Sequence, residues 1–559
     1  MDSSPRLAVL LAALLGVALG CTGTIGGPGA GDDPERPGGP GDPGDPDDPG
    51  WEAPELRPLD PLARRLTREE LAHTLADVTG VAPGAALEEV PVDRPLEGFV
   101  NIGSGQTVLP DHVRGYHAVA REVTADPAFV GFLEVAGCAD PSEACARDTV
   151  REVGRRLFRR PLDAREQAAF EALFAAVAAE EVGWERAARA VAEAMLQSPG
   201  FLYLLQDELA GRGDGDGDAN VRTLGGYEMA SRLSYALWAS APDEALLDAA
   251  EAGELDEPAG IAAQVERMLE DEAKVARVTE RFVVDWARLA SLPDEDGRKG
   301  ELMASAVAFY DDHARRGAPL YGLFDAERAF LTPALAEAWG LEPAGEGVRA
   351  YDLSGLDGRG GLLGQPGVIA GMTNADGGAI VARGLFLQHQ VFCGSPPDPP
   401  ASLQDEIDAF AAALPETASD REVFERRLMR AECAACHAQF DPLALAFERY
   451  DFRGAFREED EHGNALDDRG WLPASLDADG AEVAYAGLGE YLGLVAAHPR
   501  ARRCLVQRHA EQALGATLES GQIGAVVELA EAVGEEGSRA DLLRALATHD
   551  LFRTQRVPE

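Results

Sequence analysis

After residue 20 the sequence contains no apolar run long enough to cross a bilayer, so no spanning helix is expected downstream. Cationic residues are also scarce: 50 Lys and Arg against 97 Asp and Glu give a formal charge of -47. Nucleic acid and anionic lipid headgroups would be repelled by that balance, which suits solubility in a salty medium. There is no Gly-x-Ser-x-Gly elbow, no glycine-rich phosphate loop and no His-Glu-x-x-His pair, so three common catalytic constellations are excluded. With so many carboxylates, the sequence singles out no acid/base pair. No fixed internal period recurs, which disfavours solenoids and propellers. What remains is a chain of 559 residues, 46% hydrophobic, too long for one core and sized for roughly three or four packing units.

The N-terminus sets the compartment. Arg6 precedes the run LAVLLAALLGVALG, which ends at Cys21 and reads as a secretory signal over residues 1–20. ALGC resembles a bacterial lipobox, with Gly20 fitting well and Leu19 and Ala18 less so, and it predicts lipidation of Cys21, with plain secretion and an uncleaved anchor as the other two readings. Thr22 follows in place of the aspartate of an inner-membrane retention signal, so the expectation is an outer-membrane lipoprotein facing the periplasm or exterior, touching the membrane through its lipid alone. Residues 21–57 are rich in Gly, Pro and Asp and cannot bury apolar surface, so they are expected to form a flexible tether.

Cysteine use follows from an oxidising compartment. Cys138 and Cys145 sit in GCADPSEAC, a short loop that predicts a local disulfide. If Cys433 and Cys436 are committed to a cofactor, Cys393 and Cys504 remain to pair with each other. The rest of the pattern predicts a mainly α fold of several packed helical modules. In DAREQAAFEALFAAVAAE, Phe170, Leu173, Phe174 and Val177 recur at helical spacing, and Asp163 with Glu166 predicts a capping box, as do Thr67 with Glu70 and Ser419 with Glu422. A less regular, glycine-richer insert around 326–371 is expected to hold a short irregular or β element. The expected organisation is 58–135, 136–210, 221–345, 346–465 carrying the Cys-x-x-Cys-His motif, and 466–559. GRGDGDGDAN (211–220) alternates aspartates like a calcium loop but has Ala219 at the sixth position and Gly225 at the twelfth, so it reads as a linker.

The stretch AECAACHAQFDPLALAFERYDF places Cys433, Cys436 and His437 in Cys-x-x-Cys-His spacing, which composition alone would produce about 0.002 times. Two thiols three positions apart can each add to one porphyrin vinyl group, and the adjacent imidazole then reaches the iron on its proximal face. Two other readings stay open: a small disulfide with His437 as an ordinary residue, or a zinc site completed by His462 or acidic side chains. Met372 and His389 are the candidates for the far axial position; if neither ligates, the iron is five-coordinate and open to small molecules. Met429 is awkwardly placed for that role. Asp441 and Pro442 predict a helix start, with Asp at the cap. Leu445, Phe447, Phe452 and Phe456 are candidate haem walls, and Arg449, Arg453 and Arg457 candidate propionate partners, although filling a core and facing acidic neighbours explains the same residues.

Several separated motifs carry a family resemblance: RLTREELAHTLADVTG, EGFVNIGSG, LFRRPLDAREQAAF, LQSPGFLYLLQ, LGGYEMASRLSYALWASAPDEALLDAA, GLLGQPGVIAGMTNADGGAIVARGLFLQHQVFC, ECAACHAQFDPLALAFERYDFRGAFRE and LFRTQRVPE. Spanning Leu66 to Glu559 in order, they resemble the planctomycete cytochrome c-like multi-module proteins, built of domains of unknown function and common in planctomycetes and myxobacteria. The resemblance implies secretion and a cytochrome-like label, with no established substrate. This chain has Gly378, Ala379, Ile380 and Val381 where the family carries a serine or threonine beside a proline before its arginine and glycine, here Arg383 and Gly384. Two readings follow. One is an envelope-anchored c-type cytochrome-like protein with one haem c, serving electron transfer to an unidentified redox partner or a haem-dependent oxidoreductase. The other is a cofactor-free, disulfide-stapled scaffold that binds a partner or a surface polymer.

Overall fold

The computed structural model describes residues 46, 51, 53–54, 56–60, 63–137, 142–180, 183–204, 221–294, 297–356, 359–373, 379–396, 400–415, 417–476 and 480–557. The signal segment, Cys21, nearly all of the tether, Cys138, the aspartate-rich linker and Gly378 lie outside the described residues.

The fold is mainly α. Helix starts follow their local chemistry: Thr67 accepts from Glu70 N while the Glu70 carboxylate accepts from Thr67 N, and Asp163 with Glu166 does the same. Ser419 supplies the cap of the helix Asp420–Leu428 by accepting from Glu422 N at 3.1 Å. In the helix Ala164–Ala178, Phe174 is buried, with Phe170, Leu173 and Val177 packed against the same core.

Two large cores result. The first is built from Leu71 to Leu202, so the stretches 64–137 and 142–204 fold around shared apolar residues rather than separate ones. The ribbon pairing Arg64–Arg65 with Tyr203–Leu204 antiparallel joins its two ends. The second core draws on residues from Leu224 to Phe552, with Phe99 and Ile102 inserted from the N-terminal part. Its ends are joined likewise, by Val221–Thr223 pairing antiparallel with Thr554–Arg556. Thr74 and Tyr235 hydroxyls meet at 2.9 Å across the junction of the two cores.

The irregular insert contains the expected β element: Arg328–Leu331 pairs antiparallel with Arg349–Asp352. Cys393 and Cys504 form a disulfide as expected, joining the segment after residue 391 to the helix Pro499–Leu514. Cys145 is disulfide-bonded as well. Among the described residues, no helix is long and apolar enough to cross a membrane.

Candidate cofactor site around Cys433, Cys436 and His437

The motif occupies its own short helix, Ala431–His437. At positions i, i+3 and i+4, Cys433, Cys436 and His437 share one helical face, and all three are partly buried while Glu432 and Ala435 point to solvent. Both thiols are unpaired, unlike Cys393 and Cys504. Burial, and then the Glu432 carboxylate, push the Cys433 thiol up, so at neutral pH it is held as a thiol rather than a thiolate.

The helices around the motif have almost no core of their own. Neither Gln404–Ala412 nor Ala431–His437 buries a residue, and Asp420–Leu428 buries only Phe424. Phe424 packs in a small cluster with Ile380, Ala444 and Leu445, flanked by Leu428 and Trp471. The Arg430 and Arg427 guanidinium groups lie 5.0 and 5.9 Å from the Phe410 ring centre, attaching the first of these helices by cation–π contact.

The segment after the motif is, by contrast, held rigidly. Arg383, 1% exposed, donates from Nη1 to the carbonyl of Phe447 at 2.8 Å and from Nη2 to those of Tyr450 and Asp451 at 2.8 and 3.0 Å. The adjacent Gly384 faces the Phe440 carbonyl, where a Cβ would come within 2.5 Å of the oxygen. These contacts account for the arginine and glycine without any neighbouring hydroxyl.

Asp441 departs from the expected cap. It is the first residue of the helix Asp441–Ala444 and its side chain turns back toward the motif. Fully buried, its Oδ2 accepts from Arg427 Nη1 at 2.6 Å and lies 3.1 Å from His437 Nδ1, while Oδ1 is buried without a partner. On its flank His437 meets the Phe440 ring, 5.1 Å between centres. Because Arg427 takes the other share of that oxygen, the imidazole is oriented with Nδ1 toward Asp441 and Nε2 turned away from it. That orientation suits an imidazole ligand, whose second nitrogen is ordinarily held by a carboxylate or carbonyl. The donor set of two unpaired thiols and one oriented imidazole fits a covalently attached haem.

Other candidates land elsewhere. Leu445 lies in the Phe424 cluster and Phe447 in the second large core; Phe456 packs against that core, and Phe452 is 39% exposed. Arg449 pairs with Asp468, and Arg453 lies over the Phe452 ring. Met372, 1% exposed, is packed in the second core, and Met429 is exposed. His389 is partly buried in the π-helical turn Leu387–Val391, which packs against the helix Asp441–Ala444; its carbonyl accepts from Arg508 Nη2 at 2.7 Å. His462 sits beside Glu461. Among the described residues, no three His, Cys, Asp or Glu side chains converge as a metal-ion site. Arg427 and Arg383 went unrecognised in the sequence as parts of this site, since only the fold brings them to Asp441 and to the backbone beyond it.

Four family models match in order, and all four are described as Protein of unknown function. Residues 64–129 match PSD3 (DUF1587), 145–205 match PSD5 (DUF1595), 224–341 match PSD4 (DUF1592) and 359–460 match PSCyt3 (DUF1588). The chain belongs to the planctomycete cytochrome-like multi-module family. Within that family's arrangement, the Cys-x-x-Cys-His helix, Asp441 and the Arg383 clip all fall in the PSCyt3 stretch, whose name hints at a cytochrome relation while its description assigns no function. No curated protein and no solved structure matches the chain.

Proposed function

We propose that the protein is a c-type cytochrome-like component of the cell envelope, carrying one haem joined to Cys433 and Cys436 with His437 as proximal ligand. The observation that carries this reading is an unpaired, half-buried Cys-x-x-Cys-His face on helices that lack an apolar core of their own. A covalently bound porphyrin would give the motif helix, which buries no residue, an apolar partner. When bound, the haem supplies one-electron redox chemistry at its iron. The chain's own contribution is to fix attachment through two thiols, to orient the imidazole through Asp441, and to hold the following backbone with Arg383. The N-terminal signal pattern and Cys21 support lipid anchorage at the outer membrane, with residues 21–57 as the spacer. The acidic charge suits a basic redox partner better than an anionic one.

The test is a visible spectrum and denatured mass of protein exported from a host with c-type haem maturation. The expected result is a sharp reduced α-band and haem mass retained after denaturation, both lost in Cys433→Ser with Cys436→Ser. The same spectra on Met372→Ala and His389→Ala report whether either side chain fills the far axial position. A colourless, folded protein of unmodified mass would refute the reading and leave the disulfide-stapled scaffold, which Cys393 and Cys504 support.

A further inference from the structure

We infer that Asp441, held by Arg427, is the positioning residue that sets the donor strength of His437 and keeps the iron at low potential; this rests on the haem reading above. A fully buried carboxylate is costly to desolvate unless a cation and hydrogen bonds compensate it. Asp441 has that cation in Arg427, yet its Oδ1 has no partner, so only one oxygen is engaged and two donors share it. A buried carboxylate made solely for stability would use both oxygens. Here the engaged oxygen faces the ring nitrogen remote from the ligating one, which is where a carboxylate raises the basicity of an imidazole ligand.

The surroundings hold this geometry from both sides. Pro442 fixes the backbone immediately after Asp441, and Gly384 admits the Phe440 carbonyl immediately before it. Arg427 comes from a separate helix, Asp420–Leu428, so its distance to Asp441 is set by tertiary packing. Asp441 and Arg427 act on the imidazole in opposition. Asp441 pushes electron density toward the imidazole and favours ferric iron; Arg427 draws on the same oxygen and moderates that push. Removing each should therefore move the ferric/ferrous equilibrium in opposite directions, which loss of a merely structural contact would not do.

The experiment is a redox titration, read by the visible spectrum, of the full-length haem-loaded protein and its variants. Asp441→Asn, close in shape and still able to accept from Nδ1, should shift the equilibrium at least about tenfold toward ferrous, or ~59 mV for a one-electron couple. Arg427→Met should shift it toward ferric, and Arg427→Lys should stay within about threefold of wild type, about half of the tenfold Asn effect on the logarithmic scale. Haem content should be unchanged throughout, because both thiols remain. A fully loaded Asp441→Asn with wild-type potential would overturn the inference while leaving the haem reading intact. Wild-type protein without haem would overturn both. A second readout needs no haem: nitrogen NMR of histidine-labelled Cys433→Ser, Cys436→Ser protein should show a His437 Nδ1–H tautomer, assigned by its loss in His437→Ala, that Asp441→Ala abolishes. Persistence of that tautomer in Asp441→Ala would count against Asp441 as its partner.

Discussion

At the residue scale, Glu448 is a carboxylate buried far from water. It is 3% exposed, and burial followed by the Asp420 carboxylate pushes it up to about 7, against the opposing pull of Arg383, Arg421 and Arg457. Between its ordinary value of 4.5 and about 7 the folded state holds a proton that the unfolded state has lost. By linkage, its contribution to stability is complete below about 4.5 and is lost as pH rises through about 7. Glu448→Gln should flatten that fall and gain at most about 3 kcal/mol over wild type at pH 8. Urea unfolding at pH 5 and pH 8 checks this; equal pH slopes for both proteins would show that Glu448 does not cause it. Asp441, four residues after His437, could be read from the sequence as a helical neighbour of the histidine. Arg427 could not, because no period links a residue ten positions upstream in a different helix.

At the scale of elements, two glycines in helices have opposite consequences. Gly384, in Ala379–Phe386, lies where a Cβ would sit 2.5 Å from the Phe440 carbonyl, and backbone cannot yield as a side-chain tip can. Gly493, in Leu488–Ala497, has open space around the same position. Gly384→Ala should therefore destabilise by about 1–3 kcal/mol, from overpacking that displaces the segment behind His437. Gly493→Ala should stabilise by about 0.5–1 kcal/mol, from helix propensity alone. Thermal unfolding of both variants reads the two signs, and a stabilised Gly384→Ala would disprove the close approach. Helices with caps and apolar stripes were legible in the sequence, as at Thr67, Asp163 and Ser419, because their signals lie within four residues. The Asp441 cap was misread because the same residue type serves a helix start and a buried ion pair, and only burial and the position of Arg427 separate the two uses.

At the scale of the molecule, the Cys393 and Cys504 bridge spans 111 residues and ties the π-helical turn to the C-terminal helices. Arg500 Nε donating to the Phe392 carbonyl at 2.9 Å and Arg508 to that of His389 fasten the same contact. Restricting so long a loop in the unfolded chain predicts a loss of roughly 2–5 kcal/mol for Cys393→Ala with Cys504→Ala. Guanidinium unfolding measures it; unchanged midpoints would mean that the two arginines and the surrounding core suffice.

By itself the sequence determined the mainly α class, the β element in the irregular insert, the three helix starts, the family and the Cys-x-x-Cys-His trio, because each is written in local spacing or in motifs that survive without coordinates. Only the tertiary structure decided that the first two helical stretches share one core, that strands from opposite ends of each core pair, that Arg383 clips the backbone beyond the motif, and that Arg427 and His437 meet on one oxygen of Asp441. Those outcomes depend on which surfaces close over one another across tens to hundreds of residues, and no local period encodes such closure.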